Sequence, residues 1–199
     1  MPQNHIGQPT LWLSGTPQQF FERMVETLVA MGLANYKHAD PFRGNLPNNG
    51  PFLLIPPCPA EFDLDHLAGL ITVGGKTGIN LLHVEKIRDT FDVPGEPYLL
   101  LDVENGEGRP DMKPLAAERD ILAKNRSPYT LSEGIVHAIV FPEVLVRRGL
   151  DLCGSRYGEP AEQVPVLYLN GGWPVLAARW TGGGGTGWGA PSCGGRRGI

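Results

Sequence analysis

Two tryptophans enclose a glycine-rich stretch late in the chain, Trp180-Thr181-Gly182-Gly183-Gly184-Gly185-Thr186-Gly187-Trp188. Glycines let backbone amides approach a ligand closely, and indole rings supply flat apolar walls. The guanidinium group of arginine binds anions, and Arg156 directly follows Gly154-Ser155. This composition favours a pocket for a small molecule or a peptide, and the candidate ligand-binding residues are Ser155, Arg156, Trp180, Thr186, Trp188 and Glu133. The alternative is a glycine loop that the two tryptophans fix to a sheet.

Nucleophilic catalysis would use one of three cysteines, Cys58, Cys153 or Cys193. A reactive thiol needs a helix N-terminus or a basic neighbour that favours the thiolate. Cys193 precedes Gly194-Gly195-Arg196-Arg197 and has the most electropositive and flexible surroundings, whereas Cys153 is expected in the core. A hydrolase or transferase that uses Cys193 or a carboxylate is therefore an alternative. A Ser-His-Asp or Cys-His pairing cannot be derived from the order of residues alone. The sequence also contains no G-x-S-x-G motif of the kind that presents a nucleophilic serine.

Gly75-Lys76-Thr77 matches the end of a phosphate-binding P-loop, which reads G-x-x-x-x-G-K-[ST]. The position of the first glycine in that motif is occupied here by Leu70. Residues 79–82 also predict a strand where the motif requires a helix. We interpret the segment as a glycine-rich turn with a surface lysine. The carboxylates at residues 63–65 and 102–107 match no EF-hand, so we predict neither a metal site nor a cofactor.

The first half of the chain contains elements that could carry these residues. Thr16 as N-cap, Pro17 at the first position and apolar residues at helical spacing predict a helix that stops near Gly32. Six prolines exclude helix from residues 41–59 and flank a short or edge strand at 52–55. A brief helix after Asp63 and two paired strands, 70–73 and 79–82, follow.

The second half predicts a strand at residues 97–103 and a helix from Pro114. Thr130 and Glu133 form a capping-box pattern that starts another helix, and a shorter helical piece begins at Pro142. Three closing strands are expected at 150–155, 164–169 and 173–180, with a hairpin turn between the last two. We therefore predict an α+β domain over residues 16–199, with a mixed, mainly antiparallel sheet flanked by three to five helices. We predict that residues 1–15 form a loose N-terminal arm whose apolar triplet Leu11-Trp12-Leu13 docks elsewhere.

Composition excludes several classes of protein. The 199 residues include 27 Gly and 19 Pro, but 41% are hydrophobic and can build a core. The net charge is -4, and the pairs Arg147-Arg148 and Arg196-Arg197 are isolated, so we interpret them as solvated surface and predict no nucleic-acid partner. No apolar run reaches the roughly 20 residues of a membrane span. An odd number of scattered cysteines and a first segment unlike a secretion signal indicate a cytoplasmic protein.

Several short motifs occur in an order that resembles an uncharacterised bacterial family, domain of unknown function number 5701. They lie between residues 50 and 197 and include Tyr98-Leu99-Leu100-Leu101-Asp102-Val103, Tyr129-Thr130-Leu131-Ser132-Glu133-Gly134-Ile135, Gly154-Ser155-Arg156, Val164-Pro165-Val166-Leu167-Tyr168-Leu169, Trp180, Gly182, Thr186 and Gly189. The resemblance implies no catalytic residue. In the family, polar residues including a histidine commonly stand between the positions of Trp180 and Thr186, where this chain has glycines.

We expect a non-catalytic small-ligand or regulatory binding module whose site lies in the C-terminal block 181–199. A structural or interaction protein that docks through its tryptophan-rich C-terminal block is a further alternative, with a homo-oligomer as one form of it.

Overall fold

A computed structural model describes residues 15–48, 50–57, 63–159 and 162–199. The apolar triplet Leu11-Trp12-Leu13 of the expected arm and Cys58 lie outside the described residues. The described part is α+β, as predicted, with six α-helices and several sheets. The helices are α1 Pro17–Ala30, α2 Tyr36–Arg43, α3 Leu64–Leu70, α4 Pro114–Ala123, α5 Leu131–Val140 and α6 Glu143–Arg147.

Helix α1 begins and ends where its sequence predicts. The Thr16 hydroxyl accepts a hydrogen bond from the Gln19 amide, and Pro17 occupies the first helical position. Its apolar face is buried against the first sheet, where the rings of Phe20 and Phe52 meet edge to face with centroids 5.3 Å apart. Aromatic packing of this kind fixes the helix on the sheet.

Helix α2 corrects the prediction that the proline-rich stretch from residue 41 contains no helix. Pro41 lies inside it, near the end of only eight residues, so its missing amide removes a single internal hydrogen bond. The Asn35 side chain caps the helix by accepting from the His38 amide at 3.2 Å. Burial of Phe42 and an ion pair between Arg43 and Glu22 of α1, 2.9 Å long, compensate for that loss.

The described strands are mostly short. They are β1 Phe52–Ile55, β2 Thr72–Val73, β3 Lys76–Thr77, β4 Ile79–Asn80, β5 Ile87–Asp89, β6 Tyr98–Leu101, β7 Ser127–Pro128, β8 Gly149–Asp151, β9 Ser155–Tyr157, β10 Gln163–Asn170, β11 Trp173–Trp180, β12 Trp188–Gly189, β13 Ser192–Cys193 and β14 Gly195–Arg197. The predicted strand at 150–155 is thus divided between β8 and β9. Strands 70–73 and 79–82 were expected to pair, but β2 pairs with β3 across the Gly74-Gly75 turn, and β4 joins β11 in parallel.

Two larger sheets enclose the core. In one, β6 lies between β1 and β14, and both pairings are antiparallel, so β1 is an edge strand as its flanking prolines predict. In the other, the order is β12-β8-β10-β11-β4, with β9 and β5 attached beside β10. Its centre is the predicted β10–β11 hairpin. Helix α5 contacts β1 of the first sheet and β10 of the second, and most of its residues are buried.

The C-terminal block is more ordered than its composition suggests. The strands β12, β13 and β14 all fall within it and pair with β8, β7 and β6. Cys193 lies in β13 and is fully buried, which contradicts the flexible setting expected for it. Pairing with strands from earlier in the chain holds these residues in place.

Candidate functional site

An open cleft of about 290 Å³ lies where the C-terminal block meets α6 and β10. Arg147 and Arg148 come from the end of α6, Tyr168 comes from β10, and Thr186 and Trp188 come from the glycine-rich loop and β12. None of the described residues that line it is acidic. The cleft therefore combines positive charge with aromatic surface.

Asp111 holds the glycine-rich loop at the edge of the cleft. Its carboxylate accepts hydrogen bonds from the amides of Gly187 at 2.6 Å and Trp188 at 3.3 Å, and its own amide donates to the Trp188 carbonyl at 2.9 Å. Two of the amides that the sequence suggested for ligand contact, those of Gly187 and Trp188, are thus used within the protein. They fix the position of Trp188.

Glycine is required where the backbones meet behind the cleft. A Cβ atom on Gly189 would lie 2.3 Å from the Gly106 carbonyl oxygen, and one on Gly149 would lie 2.7 Å from the Trp188 ring. Both distances are far below van der Waals contact. The Gly106 turn can therefore approach β12, and the Trp188 ring can lie against Gly149, only because these positions lack side chains.

The Trp188 ring is supported from inside the protein. The Arg179 guanidinium lies 4.3 Å from its centroid, and the Tyr168 ring centroid is 5.5 Å away. Arg179 in turn forms an ion pair with buried Asp151, with 2.8 Å between Nε and Oδ1. Burial raises the pKa of Asp151 to about 7, although the nearby guanidinium opposes that shift. These contacts give the cleft a fixed aromatic wall.

The two cleft arginines have different partners. Arg147 is exposed and forms an ion pair with Glu107, 3.0 Å long. Arg148 is half-buried and has no carboxylate partner among the described residues. Its Nη1 donates to the Gly106 carbonyl at 3.5 Å, which is at the limit of a hydrogen bond. Both were predicted to be solvated surface, which holds for exposed Arg147 but not for half-buried Arg148. Their position beside Trp188 in one cleft was not predicted.

Glu133 is fully buried at the start of α5 and does not reach the cleft. Oε1 accepts from the Tyr98 hydroxyl at 2.9 Å and from Nε of Arg196 at 2.6 Å. Oε2 accepts from the Thr130 amide and from Nη2 of Arg196, both at 2.8 Å. The capping-box hydrogen bond from the Thr130 amide to the Glu133 carboxylate is therefore present, and the carboxylate joins β6, α5 and β14.

Ser155 and Arg156 also make internal contacts. The Ser155 hydroxyl donates to Asp89 at 2.5 Å and accepts from the Leu131 amide at 2.8 Å, so it holds the first turn of α5. Nη2 of Arg156 donates to Oε2 of Glu118 at 2.5 Å, and Nη1 donates to the Cys153 carbonyl at 2.8 Å.

Trp180 ends β11 and is 56% exposed. Of the six predicted ligand-binding residues, the cleft brings together Thr186 and Trp188.

The two described cysteines are buried free thiols. Burial raises the pKa of Cys193 to about 11, despite the opposing charge of Arg196, and burial also raises the pKa of Cys153 well above its usual value. Both effects disfavour the thiolate that a nucleophile requires.

Lys76 of the Gly74-Gly75 turn donates to the Gly171 carbonyl at 2.7 Å and lies 5.4 Å from the Trp173 ring centroid. This placement supports the interpretation as a turn with a surface lysine rather than a phosphate loop.

Within the described ranges, none of the helices combines the length and the apolar character needed to cross a bilayer. No curated protein and no solved structure matches the chain. The model of a family of unknown function, DUF5701, matches residues 8–199, and the chain therefore belongs to that family.

Proposed function

We propose that this member of the DUF5701 family is a small-ligand binding module whose site is the cleft between α6 and the C-terminal block. The observation that carries the proposal is the convergence of Arg147 and Arg148 with the rings of Tyr168 and Trp188 on one open cleft. Its volume, about 290 Å³, is at the lower end of the range of small-molecule sites.

Binding without catalysis fits the side chains present. Among the described residues that line the cleft, polar groups are two guanidiniums, the Thr186 hydroxyl, the Tyr168 phenol and the Trp188 indole, with no carboxylate, histidine or thiol. General acid–base and nucleophilic catalysis usually depend on those missing groups. We propose a cytoplasmic location with a small molecule or peptide as partner, which the two unpaired thiols support.

Ligand screening by thermal shift, followed by NMR of the indole N–H groups, tests this function. A ligand that raises the melting temperature should move the Trp188 indole signal, assigned with a Trp188→Phe variant. The Trp188→Ala variant should lose the thermal shift, and the matched control Trp180→Ala should keep it. Ligands that stabilise wild type and Trp188→Ala equally would contradict the site.

An interaction surface at Trp180 is the second candidate, because 56% of this large apolar side chain is exposed. Leu115 is also exposed and lies nearby, since its amide donates to the carbonyl of neighbouring Thr181 at 3.0 Å. Exposed aromatic residues are frequent anchors of protein interfaces. Sedimentation of wild type and Trp180→Ala would test self-association, and a monomer for both at high concentration would contradict a homo-oligomer through this residue.

A further inference from the structure

We infer that the ligand of the cleft carries an oxyanion, a carboxylate or a phosphate, which Arg148 binds together with Arg147. This inference rests on the proposed function and specifies the chemical class of its ligand.

Among the half-buried arginines that the structure describes, Arg148 and Arg197 lack a carboxylate partner, and Arg197 donates to the Asn45 carbonyl instead. Arg148 therefore differs from most of the other shielded arginines. Each of six arginines with limited exposure of the side chain lies within 3 Å of a carboxylate: Arg43, Arg109, Arg126, Arg156, Arg179 and Arg196. Arg148 is similarly shielded, but the only hydrogen bond of its guanidinium within the described residues is the long one to Gly106. A shielded guanidinium is most stable when anionic acceptors satisfy its fork of donors. An oxyanion in the cleft would meet that requirement.

The protein holds Arg148 in position without a ligand. Its Cδ packs against the backbone of Gly189, where an added Cβ would lie only 2.8 Å away. This packing restricts where the guanidinium can lie, and the 3.5 Å contact of Nη1 with the Gly106 carbonyl adds a weak orienting interaction. A fixed guanidinium loses little side-chain entropy on binding, which favours anion recognition at this position.

Glu107 is the internal competitor for the anion. Its carboxylate lies 3.0 Å from Nη1 of Arg147, which lines the cleft. An incoming oxyanion shares or replaces this contact, so removal of the Glu107 charge should strengthen anion binding. This expectation distinguishes oxyanion recognition from simple apolar binding, which is insensitive to that charge.

Indole NMR titrations in low-salt Tris buffer test the inference with five probes: phenyl phosphate, benzoate, phenol, inorganic phosphate and acetate. We expect the Trp188 signal to respond to phenyl phosphate or benzoate at concentrations at least about tenfold below those needed for phenol, because charge-assisted hydrogen bonds add to stacking. Whichever of inorganic phosphate and acetate competes more strongly identifies the phosphate or carboxylate class.

Three variants with a charge removed complete the test. Arg148→Gln should weaken binding of the anionic probe roughly 10- to 100-fold, and Glu107→Gln should strengthen it roughly two- to fivefold. Arg119→Gln, which removes an exposed arginine on α4, is the control and should change nothing. If Arg148→Gln fails to fold, the exposed Arg147→Gln replaces it, with an expected loss of at least about threefold.

The outcomes separate the two proposals. Equal binding of phenol and phenyl phosphate at Trp188, unchanged by Arg148→Gln, would overturn the oxyanion inference and leave the binding site standing. Failure of every probe and of the ligand screen to affect Trp188 would overturn both.

Discussion

Removal of the Arg196 side chain should cause a large loss of stability, because it leaves Glu133 charged and buried. Arg196 contributes Nε and Nη2 to the two carboxylate oxygens at 2.6 and 2.8 Å, and Nη2 also donates to the Pro128 carbonyl at 3.1 Å. Although burial opposes it, these hydrogen bonds and the charge of Glu133 raise the pKa of Arg196. In Arg196→Met, Glu133 keeps only Tyr98 and the Thr130 amide as donors.

Breaking a buried ion pair by removing one partner costs about 3–5 kcal/mol. We expect Arg196→Met to lower the free energy of unfolding at pH 7 by about that amount, a large part of the 5–15 kcal/mol typical of a domain. Urea unfolding followed by circular dichroism measures the change. The matched control is Arg197→Met in the same strand, whose guanidinium donates to the Asn45 carbonyl at the exposed surface. It should lose less than about 1 kcal/mol.

A double variant locates the cause of the loss. Glu133→Gln with Arg196→Met replaces the buried charge with a neutral amide and should be at least about 1 kcal/mol more stable than Arg196→Met alone. A loss in Arg196→Met no larger than in Arg197→Met would refute the reasoning, because it would mean that water solvates Glu133 once the arginine is absent.

Three further predictions concern titration, packing and thiol reactivity. Burial lowers the pKa of His137 to about 4, so the unfolded chain binds a proton that the folded protein excludes between about pH 6.5 and 4. Stability should fall as the pH drops through that window, and His137→Phe should gain on the order of 3 kcal/mol relative to wild type between pH 7 and 4 in urea titrations; a constant difference would contradict this. Gly189→Ala should lower the free energy of unfolding by about 2 kcal/mol or more, whereas Gly182→Ala, whose added Cβ meets nothing within 4 Å, should be nearly neutral. Iodoacetamide at pH 7 should label Cys193 far more slowly in the folded than in the unfolded protein, as mass spectrometry of the peptide would show, and equal rates would contradict its burial.

Local signals predicted most of the longer elements correctly. The cap at Thr16, the Glu133 side of the capping pattern and the β10–β11 hairpin each depend on residues close together in the chain. Helix α2 was missed because the prolines were interpreted as excluding helix and the cap at Asn35 was not considered. Burial of Phe42 and the ion pair of Arg43 with Glu22 stabilise it, and both depend on the folded protein.

The strands of the C-terminal block could not be predicted from local sequence. β14 has almost no intrinsic strand preference, and its pairing with β6 decides its conformation. The cleft shows the same limit. The glycine-rich stretch in the sequence pointed to Trp188 and Thr186 as site residues. The position of Arg148 beside them depends on the close contact between Gly189 and Gly106, which joins distant parts of the chain.

The late position of β14 has a consequence for biosynthesis. Its partner β6 is translated long before it, so the emerging chain has one open edge on the central strand of that sheet and an unneutralised acid at Glu133. Open strand edges invite association with other chains. The sheet cannot close while synthesis proceeds toward residue 195, so β6 keeps an open edge and Glu133 lacks its arginine until Arg196 has been added.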